Sequence, residues 1–143
     1  MASFLWGSIG GMVAWVATTI LGQPIYRFIN LRAEAAEALA RYERRDPDDP
    51  DPDTVDVNWL AERKRAYREC GSRLVAFAAS NVLVTRLLCH PVLRKKYYPR
   101  SAGQALIVLG DLSPGAQTRL TARDYVISGL KLRFGPAGVV DPN

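Results

Sequence analysis

Between Ala2 and Tyr26 the chain runs for 25 residues without a charged side chain. No other feature limits the fold as strongly. As a helix rising ~1.5 Å per residue, such a run extends about 37 Å, more than the ~30 Å hydrocarbon layer of a bilayer. Trp6 and Tyr26 stand near its two ends, where amphipathic rings favour the membrane–water interface, while Trp15 sits mid-run. A cleaved signal peptide is the competing expectation. Against it stand an n-region without Lys or Arg and a helical pattern that continues past any plausible cleavage site. The flanks set the orientation: nothing basic precedes the run, whereas Arg27, Arg32, Arg41, Arg44 and Arg45 follow it. The expectation is a single pass through the inner membrane, N-terminus outside and body cytoplasmic.

Within this run Gly7, Gly11, Ala14 and Thr18 are spaced four, three and four residues apart, which puts them on one helical face. Gly7 and Gly11 form a GxxxG. Small residues let two backbones approach closely, and in lipid such packing takes the place of a hydrophobic driving force. Glycine is also common in membrane helices for no such reason; the face is a candidate packing surface.

The remaining residues can hold one small core. The formal charge is +5, yet six Asp are gathered between Asp46 and Asp56, and outside that stretch 19 basic side chains face 8 acidic ones. A basic body suits an anionic leaflet, and it equally suits nucleic acid. Pro24, where the run leaves the lipid, predicts a kink or the first turn of a new helix. Beyond it Phe28, Leu31, Ala35, Ala38 and Tyr42 recur at three and four residues, and Leu60, Tyr67, Cys70, Leu74 and Phe77 form a matching stripe that Arg63 interrupts. Two antiparallel helices are expected, joined by the Asp-Pro loop 46–56, whose "DPDDPDPD" cannot continue a helix.

After Asn81, "VLVTRLLCH" predicts a short helix ended by Pro91. Ser101 opens "SAGQ", which fits a capping box, and "ALIVLG" behind it predicts a buried helix closed by Gly110. A last helix is expected from Ser113, or as late as Thr121, carrying Leu120, Ile127, Leu130 and Phe134 inward before Gly135 and Pro136. No strand and no repeat is apparent. The fold class is therefore all-α: an anchor over 1–26 continuing into a small cytoplasmic helical bundle over 27–135, and a tail at 136–143.

Reaction chemistry is not suggested, and the chain reads as a non-enzyme. Cys70 and Cys89 lie in apolar surroundings as structural thiols. His90 adjoins Cys89, but neighbours in sequence point apart on a helix, and neither a four-ligand metal site nor a nucleophile with its base is spaced here. The Asp run lacks the D-x-D-x-D-G pattern of a calcium loop. Gly103, Gly110 and Gly115 read as helix ends rather than a phosphate loop, and Asp111 and Asp124 as lone carboxylates. No catalytic, cofactor or metal residue is assigned. The one basic surface gathers Arg94, Lys95, Lys96 and Arg100 around Tyr97 and Tyr98, a pattern shared by nucleic-acid grooves and juxtamembrane patches. The juxtamembrane reading is preferred, because the anchor already brings this surface to lipid.

The stretches "GQPIYRFINLRAEAAEALARYE", "AERKRAYRECGSRLVAFA" and "ALIVLGDLSP" carry a further signal. With Pro24, Arg27, Phe28, Leu31, Arg32 and Glu34 they resemble a poorly characterised family of small bacterial single-span membrane proteins. Those proteins have a Pro-x-x-Arg-Phe-x-x-Leu-Arg-x-Glu motif at the membrane exit and a short helical cytoplasmic domain. The resemblance covers Gly22 to about Pro114; it implies the architecture and transfers no site.

Two functional expectations follow. The first is an accessory or structural subunit that packs against other membrane subunits or copies of itself, stabilising a larger bacterial complex of, for example, respiratory or photosynthetic type. It needs no small-molecule substrate and no cofactor; anionic lipid is its natural surface. The alternative is a membrane adaptor of a signalling or defence system that binds an anionic ligand or nucleic acid and oligomerises through its span.

Overall fold

A computed structural model describes residues 11–12, 14–15, 18–43, 57–90, 96–112 and 118–132 of the 143-residue chain. All regular structure among the described residues is helical. A π-helical turn, Thr18–Gly22, leads directly into α1 (Gln23–Glu43); α2 (Val57–Ser80), α3 (Val82–Cys89), α4 (Pro99–Asp111) and α5 (Thr118–Leu130) follow. The wide turn accommodates Pro24, which lacks the N–H that would bond back one turn and whose ring crowds the carbonyl there. Helix thus runs without a break from Thr18 to the end of α1.

Ring contacts at the two ends of the first pair give its direction. Phe28, early in α1, stacks on Phe77, late in α2, with centroids 5.8 Å apart. Tyr42, late in α1, meets Trp59 and Tyr67, early in α2, at 6.0 and 5.8 Å. The helices are antiparallel, and both sequence stripes face this seam: Phe28, Leu31, Ala35 and Tyr42 are buried against Tyr67, Cys70, Leu74 and Phe77. Ala36 and Leu39 join them, while Ala38 and Leu60 are only partly covered. The Asp-Pro loop lies outside the described residues.

The most extensive contact is between α2 and α4. It depends on two glycines: a β-carbon on Gly71 would stand 2.6 Å from the Gly103 carbonyl oxygen. Farther along, Gly110 lies against the Cβ of Tyr67 and the backbone of Lys64, so α4 also runs antiparallel to α2. Gly103 is therefore a contact residue inside a helix, not a helix end as the sequence suggested, whereas Gly110, one residue before the last of α4, is both a contact and part of the helix end. Gly115 is outside the described residues.

The expected capping box at Ser101 is likewise replaced. Helix α4 begins earlier, with Pro99 at its start and Tyr98 rather than Ser101 as N-cap, and Tyr98 makes no side-chain cap bond. A proline at the first position has its φ already set and gives up no helical bond, which moves the start upstream of Ser101. Helix α5 returns alongside α4, with Gly129 against Ala102 and the Tyr98 N–H donating to the Gly129 carbonyl at 2.8 Å. Its buried face is Ala122, Val126, Gly129 and Leu130, with Ile127 partly buried. Leu120, expected inside, points outward; with Ala122 and Val126 inward, position 120 falls outside the buried arc. Phe134 lies outside the described residues.

Arg32 closes the ring of helices by joining α1 to the end of α5. Its Nε donates to the Leu130 carbonyl at 2.9 Å and its Nη2 to the Lys131 carbonyl at 3.0 Å. Helix α5 ends in a Schellman motif: the Leu132 N–H reaches the Ile127 carbonyl at 3.0 Å and the Lys131 N–H the Ser128 carbonyl at 3.4 Å, with Lys131 at φ 52°. The result is an up-down four-helix bundle of α1, α2, α4 and α5, with α3 across one end.

Candidate functional site

Three places carry the side chains that could serve a function: the N-terminal arm, the polar seams of the bundle and the end closed by α3.

In the arm, Gly11, Met12, Ala14 and Trp15 are helical and exposed, as are Ile20 and Leu21. Met12 is 71% and Trp15 67% accessible. Among the candidate packing residues, Gly11 has nothing within 4 Å of where a β-carbon would stand, and Thr18 donates its hydroxyl proton to the Ala14 carbonyl at 2.8 Å. Gly7 lies outside the described residues. Among the described residues, no single helix is both long and apolar enough to cross a membrane.

The polar seams pair charge with charge. Arg73 of α2 bridges Glu34 of α1 at 3.2 Å and Glu69 at 2.6 Å, over a shallow groove of about 240 Å³ also lined by Glu37, Arg41, Tyr42 and Cys70. Asp111 is not the lone carboxylate expected from sequence. It accepts from Arg68 at 2.8 Å and Lys64 at 3.1 Å, tying the end of α4 to α2. Hydrogen bonds from Arg68 and Lys64 hold its carboxyl below the usual range. Such exposed pairs fix register more than they stabilise.

Arg63, which interrupts the α2 stripe, is 2% exposed. Its Nη2 donates to the Leu112 carbonyl at 2.7 Å, and its guanidinium lies 5.5 Å from the Trp59 ring centroid. The position is not a polar lapse in the stripe but a buried cation that caps the end of α4. Sequence reasoning missed this role, and only the stripe's own periodicity, which places Arg63 on the inward face, pointed to it.

The thiols are separate. Cys70 is buried, and burial, reinforced by Glu34, pushes its pKa up to about 11. Cys89 is half-buried, its pKa is also raised by burial, and its Sγ lies 3.0 Å from the Tyr97 carbonyl oxygen. His90 ends α3 with extended backbone, its N–H bonded to the Leu87 carbonyl. Among the described residues no group of three or more His, Cys, Asp or Glu is placed to hold a metal ion.

Of the basic surface, Arg94 and Lys95 are outside the described residues, and Lys96 and Arg100 are exposed beside the start of α4. The two tyrosines part company. Tyr97 turns inward and meets Phe28 edge-on at 5.5 Å, whereas Tyr98 is exposed.

No family model matches this sequence, and no curated protein or solved structure matches it significantly. The arrangement must be read on its own chemistry.

Proposed function

We propose that the chain is a membrane-anchored accessory subunit that stabilises a larger membrane protein complex, or an assembly of its own copies, rather than an enzyme. In this reading residues 2–26 cross the inner membrane once, with the bundle on the cytoplasmic side. The face of Gly7, Gly11, Ala14 and Thr18 packs against a neighbouring membrane helix. The observation that carries the reading is the exposed apolar surface ahead of α1: Met12, Trp15, Ile20 and Leu21 have no bundle to bury them, and an apolar surface of this kind needs lipid or a partner. Resemblance to the single-span family, whose motif residues Phe28 and Leu31 are core here and whose Arg32 and Glu34 join helices, supports the same architecture.

The adaptor reading has less behind it. Along the polar seams Arg41, Lys64, Arg68 and Arg73 are already paired with carboxylates, so phosphate there would have to compete with Glu37, Asp111, Glu34 and Glu69. Co-purification of two differently tagged copies and of the host complex in mild detergent tests the proposal. Gly11→Leu should leave the protein in the membrane fraction yet lose its partners, while the bulk control Ala17→Leu keeps them. Equal retention by both variants would remove the small-residue face from the proposal. Salt-sensitive capture of nucleic acid by the intact protein would favour the adaptor.

A further inference from the structure

Helix α3 has an apolar face that the bundle does not cover. Val84 and Leu88 are buried against the core, but Leu83 is 71% accessible, and Val82 and Leu87 are also exposed. The backbone fixes its direction. The chain bends by 100° between α2 and α3, at a corner where the Asn81 N–H and Nδ2 both reach the Phe77 carbonyl. Since α2 is antiparallel to α1, α3 lies nearly at right angles to the axis of α1, which follows directly on the Thr18–Gly22 turn.

The corner also sits at the anchor's end of the bundle. Phe28 touches both Phe77, just before the bend, and Tyr97, just after α3. Phe28 is two residues, about 3 Å of helix rise, from Tyr26, the last residue of the uncharged run. The Tyr97 N–H bonds to the Leu88 carbonyl at 3.0 Å, which pins α3 there. Charge is sorted the same way. Between Glu69 and Asp111 the sequence has no Asp or Glu and six cations, among them Arg86 on α3 and Lys96 and Arg100 beside it, all exposed. The paired carboxylate Asp111 and the Asp run 46–56 attach to helix ends remote from this corner.

From this placement we infer that α3 is an in-plane interfacial helix resting on an anionic lipid surface, with Leu83 and Leu87 at the headgroup–acyl boundary and Arg86, Lys96 and Arg100 against lipid phosphates. The inference rests on the proposed anchor, which makes the axis of α1 the membrane normal and so lays α3 in the membrane plane. A helix with exposed leucines on one side and cations at its flank has the composition of an interfacial element, and the anionic leaflet supplies the complementary charge. The anchor removes the need for α3 to bind alone; α3 sets how the bundle stands on the surface.

The full chain tests this with Cys70 and Cys89 replaced by Ala and one fluorescent label at Leu83→Cys, Leu87→Cys or Glu62→Cys. Glu62 is an exposed α2 position 18 residues before Ser80, some 27 Å of helix away. The variants are reconstituted into vesicles of phosphatidylcholine and phosphatidylglycerol containing a spin-labelled quencher lipid. Quenching at positions 83 and 87 is expected to exceed that at position 62 by about threefold or more. Chains that float with the vesicles but show equal quenching at all three positions would overturn the inference while leaving the anchor standing, and would assign the face to a protein partner. Chains that fail to float with the vesicles would overturn both.

Discussion

Gly71 and Gly103 face each other across the α2–α4 crossing so closely that a β-carbon on either would stand 2.6 or 2.7 Å from the other's carbonyl oxygen. Alanine is the better helix former by about 1 kcal/mol, but here the obstacle is backbone, which cannot swing aside as a side-chain tip can. Gly71→Ala and Gly103→Ala should each lower unfolding free energy by about 1–3 kcal/mol. Gly22→Ala, whose β-carbon would meet only the Thr18 methyl at an ordinary 3.6 Å, should not. Chemical denaturation followed by circular dichroism measures all three.

These glycines show where the sequence was legible. The α1 and α2 stripes could be read because each buries one face continuously, and 3.6-residue periodicity records that. Glycine carries two meanings, helix end and close contact, which local sequence cannot separate: for Gly103 and Gly110 the deciding partners are Gly71 and Tyr67, far back along the chain on α2. Leu120 is ambiguous for the same reason, since a helix with weak amphipathicity fits several buried arcs. Of the candidate site, the exposed arm was visible as a charge-free run. The exposed face of α3 was not, because its apolar residues surround the helix and only the bend at Asn81 decides which of them the core takes.

Arg63 should be among the least replaceable side chains in the bundle. Arg63→Ala removes a charged hydrogen bond to the Leu112 carbonyl and the packing on Trp59 together, an expected loss of about 2–4 kcal/mol. Arg63→Met should recover part of that loss through volume, and Arg63→Lys should not match the native planar contact. Thermal melts of the three variants give the order directly.

At the end of α5 the expected sign is opposite. Lys131 holds a left-handed conformation that glycine adopts without strain. Lys131→Gly should stabilise the protein by about 1 kcal/mol. Arg32→Ala, which releases the Leu130 and Lys131 carbonyls, should destabilise it by about 1–2 kcal/mol and speed amide exchange in the last turn of α5.

Cys70 sets a pH dependence on the alkaline side. Its folded pKa of about 11 lies above the ordinary 9.0, so between those values the unfolded chain loses a proton that the folded chain keeps. Stability from this group is complete below pH 9 and falls as pH rises towards 11. Cys70→Ala should flatten the fall in denaturation midpoint over that window. At neutral pH an alkylating reagent should modify the half-buried Cys89 well before Cys70.

The central claim, that the charge-free run anchors the chain in a membrane, is tested most directly by extracting cell membranes with alkaline carbonate and following the full-length protein. An integral span stays in the pellet with lipid, and that is the predicted result for the wild type and for Gly11→Leu alike. Release of the wild-type chain into the carbonate supernatant would contradict the anchor and every functional statement built on it.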